Sequence, residues 1–207
     1  MGGKKEKATP EEKPQVILGI DPGTLFLGYG LISAHKNNLT LIEMGALQLA
    51  RHDDHAERLK LIFNKIQSLI VHHQPTAVAI EAPFFGKNVQ SMLKLGRAQG
   101  VAIAAAMVNG LAATEYAPRK VKQAVTGKGN ADKERVWDML RQTMYLPEAP
   151  KSWDASDAVA VAVCHHYELR KEAVLGKPAG LILPKAAKVK GGSSWAAFAE
   201  LNPERVR

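Results

Sequence analysis

Apolar positions recur along the chain with two different periods. "QVILGI" (15–20), "LGYGLISA" (27–34) and "LTLIEMGALQL" (39–49) carry strand signals, and the polar "HKNN" separates the last two. Short links between three strands predict an antiparallel meander. In "DDHAERLKLIFNKIQSLIVHH" (53–73), Leu59, Ile62, Phe63, Ile66, Leu69 and Ile70 recur at three-and-four spacing, the period of an amphipathic helix. Asp53 or Asp54 can cap its start and Pro75 ends it. "TAVAI" (76–80) is a short buried strand. A helix is predicted from Asn88 to Val108; its second half, "GVAIAAAMV", is apolar on every side and predicts burial on two faces. "LAATEYA" (111–117) is a strand, and "DKERVWDMLRQTM" and "WDASDAVAVAVCHHYELRK" are helices. The order βββαβαβαα describes an α/β domain: a mixed five-stranded sheet with helices on both faces.

Composition narrows the class. The 207 residues carry 28 Lys and Arg against 20 Asp and Glu, a net charge of +8. A balance this basic suits a polyanionic partner such as nucleic acid, or simply a soluble basic protein. No run of eighteen apolar residues predicts a membrane span, and the charged start "MGGKKEKATPEEKPQ" does not read as a secretory signal. The single cysteine, Cys164, excludes an internal disulfide framework and fits a reducing cytosol; it is expected in the core. His165 and His166 are expected to answer a helix dipole at a C-terminus.

The chemistry lies in four carboxylates among apolar neighbours. Asp21 follows "VILGI" directly and Glu81 follows "AVAI" directly. Asp154 and Asp157, three apart, share one face of a helix otherwise built of Ala and Val. Each has a structural reading: a turn residue in "DPGT" for Asp21, a helix-dipole partner for the helical pair. Nothing local needs Glu81. If the first and fourth strands are neighbours, their terminal acids meet at the strand ends that ligands favour. Two like charges about 4 Å apart repel by about 4 kcal/mol at an effective dielectric near 20. A cluster of four therefore calls for cations, and oxygen donors suit Mg²⁺ or Mn²⁺.

"ILGIDPGT…GYG", "AIEAPFFGKN", "KLGRAQGVAIAA" and "DASDAVAVAVCH", in this order over residues 16–168, resemble the RuvC family of Holliday-junction resolvases. The resemblance implies a ribonuclease H-like fold, a cytoplasmic homodimer, and Mg²⁺-dependent nicking of four-way junction DNA. It implies two ions per site, with Mn²⁺ able to substitute, and products bearing a 5′-phosphate and a 3′-hydroxyl. The family's four acids fall on Asp21, Glu81, Asp154 and Asp157, its junction-contacting aromatic on Phe84, and basic site positions on Lys122 and Lys133. Lys87 and Arg119 are further expected DNA contacts. RuvA and RuvB, the branch-migration proteins, are implied partners. The expected organisation is a disordered tail (1–15), a nuclease domain (16–170) and a basic, flexible tail (171–207).

Around the motifs, Phe84 is expected to face DNA while Phe85 packs inward. In "RKVKQAVTGKGNADK" (119–133), with five Lys or Arg and one Asp, Gly127 and Gly129 give a flexible loop next to basic residues, with Lys122 and Lys133 as phosphate contacts; a solvated basic helix end is the other reading. The helix 88–108 is expected to form a dimer face through Gly96 and Gly100. "GIDPGT" is also similar to the phosphate-binding hairpin of actin-like ATPases, which need two such domains. A DNA-binding protein without cleavage, and a nuclease of broader substrate range, are the other readings.

Overall fold

The computed structural model describes residues 14–36, 38–83 and 88–176. Residues 1–13 and 177–207, the greater part of both expected tails, lie outside the described residues, as do Phe84, Phe85 and Lys87. Five strands, β1 (Gln15–Pro22), β2 (Phe26–His35), β3 (Asn38–Gln48), β4 (Ala77–Glu81) and β5 (Ala113–Tyr116), form one sheet in the order β3-β2-β1-β4-β5. The first three make the antiparallel meander. β4 then crosses over to lie parallel to β1, and β5 parallel to β4. This is the mixed sheet expected from the sequence.

Among the described residues five helices flank it: α1 (His55–His73), α2 (Val89–Val108), α3 (Pro118–Thr126), α4 (Lys133–Thr143) and α5 (Trp153–Leu175). Alternation along the strands divides the core in two. Leu18, Ile20, Val78 and Ile80 pack with Ile62, Ile66 and Leu69 of α1 and the alanines of α2. Ile17 and Ala79 point to the opposite face, towards α3, α4 and α5. Local signals set the helix ends. Asp54 Oδ1 accepts from Ala56 N–H at 3.1 Å, Asn88 Oδ1 from Ser91 N–H at 3.0 Å, and Asp132 Oδ1 from Arg135 N–H at 2.7 Å. No helix among the described residues is long and apolar enough to cross a membrane.

α5 is the central helix of its face, buried without a break from Ala158 to His166. It lies unusually close to the sheet because glycines sit beneath it. A Cβ at Gly19 would strike the Ala158 carbonyl and the backbone of Ala162; one at Gly28 would strike the Asp154 carbonyl. The small side chains of "DASDAVAVAV" and these glycines together permit an approach that larger residues would forbid.

Three expectations are corrected. The order βββαβαβαα lacks one helix: residues 118–126 of the basic stretch form α3, with Pro118 in its first turn and Gly127 as its left-handed cap at φ 77°. Its apolar stripe is only Val121, Ala124 and Val125, too short to stand out among lysines. The second half of α2 is not buried on two faces within this chain: Met107 and Val108 are exposed, and a Cβ at Gly96 or Gly100 would meet nothing. His165 and His166 are not at a helix C-terminus, because α5 continues to Leu175 and is capped by Gly176. His165 lies in the interior, its Nδ1 2.8 Å from the Tyr116 hydroxyl. Burial, and then His166, push its pKa down to about 4, so it is neutral and answers no dipole.

Candidate active site

The parallel pairing of β1 and β4 sets Ile20 opposite Ile80, so the next residues, Asp21 and Glu81, emerge side by side. Both are odd-numbered in strands whose odd positions face α5. Asp21 is also paired across the antiparallel ladder with Gly28, the residue on which the Asp154 backbone rests. One helical turn further on, Asp157 faces the same pole. Its Oδ2 accepts a hydrogen bond of 2.7 Å from Lys133 Nζ, at the start of α4. Three distant segments thus bring their acids to one end of the sheet.

The electrostatics tie Asp21 to both helical acids, and Glu81 to Asp21 and Asp157. Burial, followed by the charges of Asp157 and Asp154, pushes the Asp21 carboxyl up to about 7, with Lys133 pulling the other way. Burial, followed by Asp21 and Asp157, pushes Glu81 up to about 8 against Lys133 and Lys122. For Lys133 itself, burial acts to lower the pKa, but its hydrogen bond and attraction to Asp157, with Asp154 and Asp21 behind, hold the ammonium above its ordinary value. Lys133, joined by Lys122 at Glu81, partly offsets the cluster. Shifts of this size, from desolvation and like charge together, mark sites built for chemistry more often than for stability.

The side chains are not, however, gathered round an ion position: among the described residues no three Asp, Glu, His or Cys groups close on a common point. The donor chemistry still fits a divalent metal. All four groups offer hard carboxylate oxygens, and two are held in a setting where their anions lack sufficient positive charge.

Comparison with known proteins decides the family. The family model described as crossover junction endodeoxyribonuclease RuvC matches residues 17–165. The chain belongs to the RuvC family. A RuvC of Cytophaga hutchinsonii is 48% identical over 201 residues, covering 97% of this chain and 92% of the relative. One of Christiangramia forsetii is 44% identical over 207 residues, the full length of both. Among solved structures, T. thermophilus RuvC in complex with a Holliday junction substrate superposes with a TM-score of 0.71 at 32% identity, covering 76% of this chain and 96% of that one. The RuvC relationship also accounts for the ribonuclease H-like architecture, and a metal cofactor is implied by membership of this nuclease family.

Of the basic residues singled out in the sequence, Lys133 and Lys122 act on the carboxylates. Arg119 does not join them among the described residues: it is exposed in the first turn of α3, with its side chain over Gly129. Sequence reasoning missed Ser152. Its hydroxyl donates to Asp154 Oδ2 at 3.1 Å and makes no cap bond to the α5 backbone. A serine directly before a helix reads as a cap, so only the structure reveals that it orients a carboxylate. The reading also missed Tyr116, paired in register with Glu81 and tied to His165. The signal was the aromatic at the end of "ATEY", whose partner lies 49 residues away in sequence.

Proposed function

We infer that the chain is a structure-specific endonuclease that resolves four-way DNA junctions by paired phosphodiester hydrolysis during recombination and repair. The observation that carries this is the meeting of Asp21, Glu81, Asp154 and Asp157 at one pole, with their charges coupled. Asp21, at the end of β1 beside Glu81 and beneath the start of α5, would share the ions, with Glu81, Asp154 and Asp157 completing their ligands. Two Mg²⁺ ions bound there, or Mn²⁺ in their place, would supply an activated water and stabilise the leaving 3′ oxygen, giving 5′-phosphate and 3′-hydroxyl ends.

The chain's own residues prepare that state. Asp21 and Glu81 must lose their protons before they serve as ligands. Ser152 holds one oxygen of Asp154. Lys133 pairs with Asp157 and, with Lys122, lends positive charge to a pole that must accept a phosphate. Lys87, Arg119 and Phe84 extend the DNA contact in this reading, Phe84 by stacking at the junction centre. The open outer face of α2, with Leu93, Met107 and Val108 exposed and Gly96 and Gly100 unfilled, suits a homodimer contact. Two such subunits would bring a twofold pair of sites to a twofold substrate in the cytoplasm, with RuvA and RuvB as partners.

Cleavage of a synthetic mobile four-way junction with Mg²⁺ tests the reading. Wild type is expected to nick the junction in preference to duplex or RNA–DNA hybrid. Asp21→Asn is expected to bind the junction and leave it uncut. Normal turnover by Asp21→Asn would remove the carboxylate mechanism.

A further inference from the structure

Two aromatic rings at the carboxylate pole are not used by the core. Phe26 is 37% exposed and Trp153 is 38% exposed. Their places follow from how α5 lies on β2. Gly30 sits under Val159 and Gly28 under Asp154, so the helix axis advances towards the beginning of β2 as it nears its N-terminus. Phe26 is two residues before Gly28 and therefore on the same face of the sheet. Trp153 is the first residue of α5, directly before Asp154. Phe26 and Trp153 therefore both sit where the first turn of α5 crosses the start of β2.

The backbone beneath them is held from several directions. The Leu25 carbonyl accepts from Leu49 N–H at 2.8 Å and Ala50 N–H at 3.1 Å. Arg58 donates from Nη1 to the Thr24 carbonyl at 3.1 Å and from Nε to the His52 carbonyl at 2.6 Å. A Cβ at Gly23 would strike the Phe26 carbonyl, so the turn that delivers this ring is as tight as glycine allows. At Trp153, the carbonyl accepts from Ser156 Oγ at 2.9 Å, and Ser152 on its other side is bonded to Asp154. Exposure here is a fixed property of the turn and of the helix start. A flat π face at the edge of an anionic pole suits a partner that is itself flat, apolar on its faces and attached to phosphate.

We propose that Phe26 and Trp153 form a nucleobase subsite, which stacks on a base of the cleaved strand beside the reacting phosphate, at the β2 edge of the carboxylate pole. The proposal rests on the nuclease reading above. The two residues are positioning residues: they hold the strand in line with the carboxylates and touch no reacting atom. Stacking accepts any base face, so the subsite steadies the strand without demanding one sequence.

The full-length chain is tested with 2-aminopurine placed in the junction on each side of the cut. In the Asp21→Asn background, binding is expected to quench the probe on one side only, and Trp153→Ala to abolish that quench. In the cleavage-competent chain, Trp153→Ala and Phe26→Ala are each expected to raise the half-saturating enzyme concentration about tenfold, within the range of one stacked base. The rate at saturation should change much less. Trp153→Phe, which keeps a ring on the same backbone, is expected to restore both readouts. An unchanged quench and unchanged half-saturation in both alanine variants overturn the subsite, as does equal loss in Trp153→Phe and Trp153→Ala. A wild-type chain that cuts no junction fails the nuclease reading instead.

Discussion

On one face of the sheet, Leu18, Ile20, Val78 and Ile80 meet the Ile and Leu side chains of α1. On the other, Gly19, Gly28 and Gly30 lie directly beneath α5, whose contacting residues are Asp, Ala and Val. The first face fills its space with large aliphatic side chains, each contributing roughly 1.5–3 kcal/mol on burial. The second gives up that volume to bring a helix backbone against a sheet backbone. The difference has a chemical purpose. A helix spaced by leucines would carry Asp154 and Asp157 further from Asp21 and Glu81, and their charges would couple weakly. The α1 and α2 face supplies stability, and the α5 face supplies distance.

Gly28→Val should show this most strongly. The added side chain meets the Asp154 carbonyl and has nowhere to go, so the first turn of α5 must lift. A displacement of about 1 Å at a reacting centre can cost on the order of a hundredfold in rate. Junction cleavage is expected to fall by about that factor in a chain that still folds, as judged by circular dichroism and single-turnover kinetics. Undiminished cleavage would show that the close approach serves packing alone.

The opposite face should respond in the opposite sense. Ile66 is fully buried between α1 and the sheet, and Ile66→Ala leaves a cavity there. The expected loss is about 2–5 kcal/mol of stability in urea unfolding, with the rate per folded molecule unchanged. A matching loss of single-turnover rate would mean that the two faces are not separable.

How much of this contrast the sequence carries depends on the kind of signal. Strands β1 to β4, helix α1 and the four acids were all legible, because alternation, three-and-four spacing and charges at strand ends are local. The adjacency of β1 and β4 was only a possibility, since pairing between strands about 60 residues apart is decided by the whole sheet. α3 escaped because three apolar positions among lysines do not make a visible stripe. For α2 the sequence offered both a dimer face and burial within one subunit, and could not divide its apolar residues between them. Residues that meet a second subunit and residues that meet the core are chosen by the same removal of apolar area from water, so an all-apolar helix looks alike in both roles. The bonds Ser152–Asp154 and Tyr116–His165 were not legible, because side-chain partners depend on rotamers that no sequence period records.

The smallest effect expected is a pH dependence of stability, in which the carboxylates and His165, all on the α5 face, act with opposite signs. Asp21 and Glu81 have folded pKa values of about 7 and about 8, raised from 3.8 and 4.5. In the metal-free protein the folded state holds these protons more tightly than the unfolded chain does, so stability falls as pH rises through that interval. His165, depressed from 6.5 to about 4, acts in the other direction: its contribution grows with pH and is complete above about 6.5. Between about pH 6.5 and 8, therefore, the two carboxylates act without opposition from this histidine. The melting temperature in EDTA is expected to fall across that window, and Asp21→Asn to flatten the fall. Because metal binding needs the deprotonated ligands, saturating Mg²⁺ should raise the melting temperature more at pH 8 than at pH 6.5. A melting temperature that climbs through the window in EDTA would mean that Asp21 and Glu81 are ionised without strain. The close approach of α5 would then confine no charge.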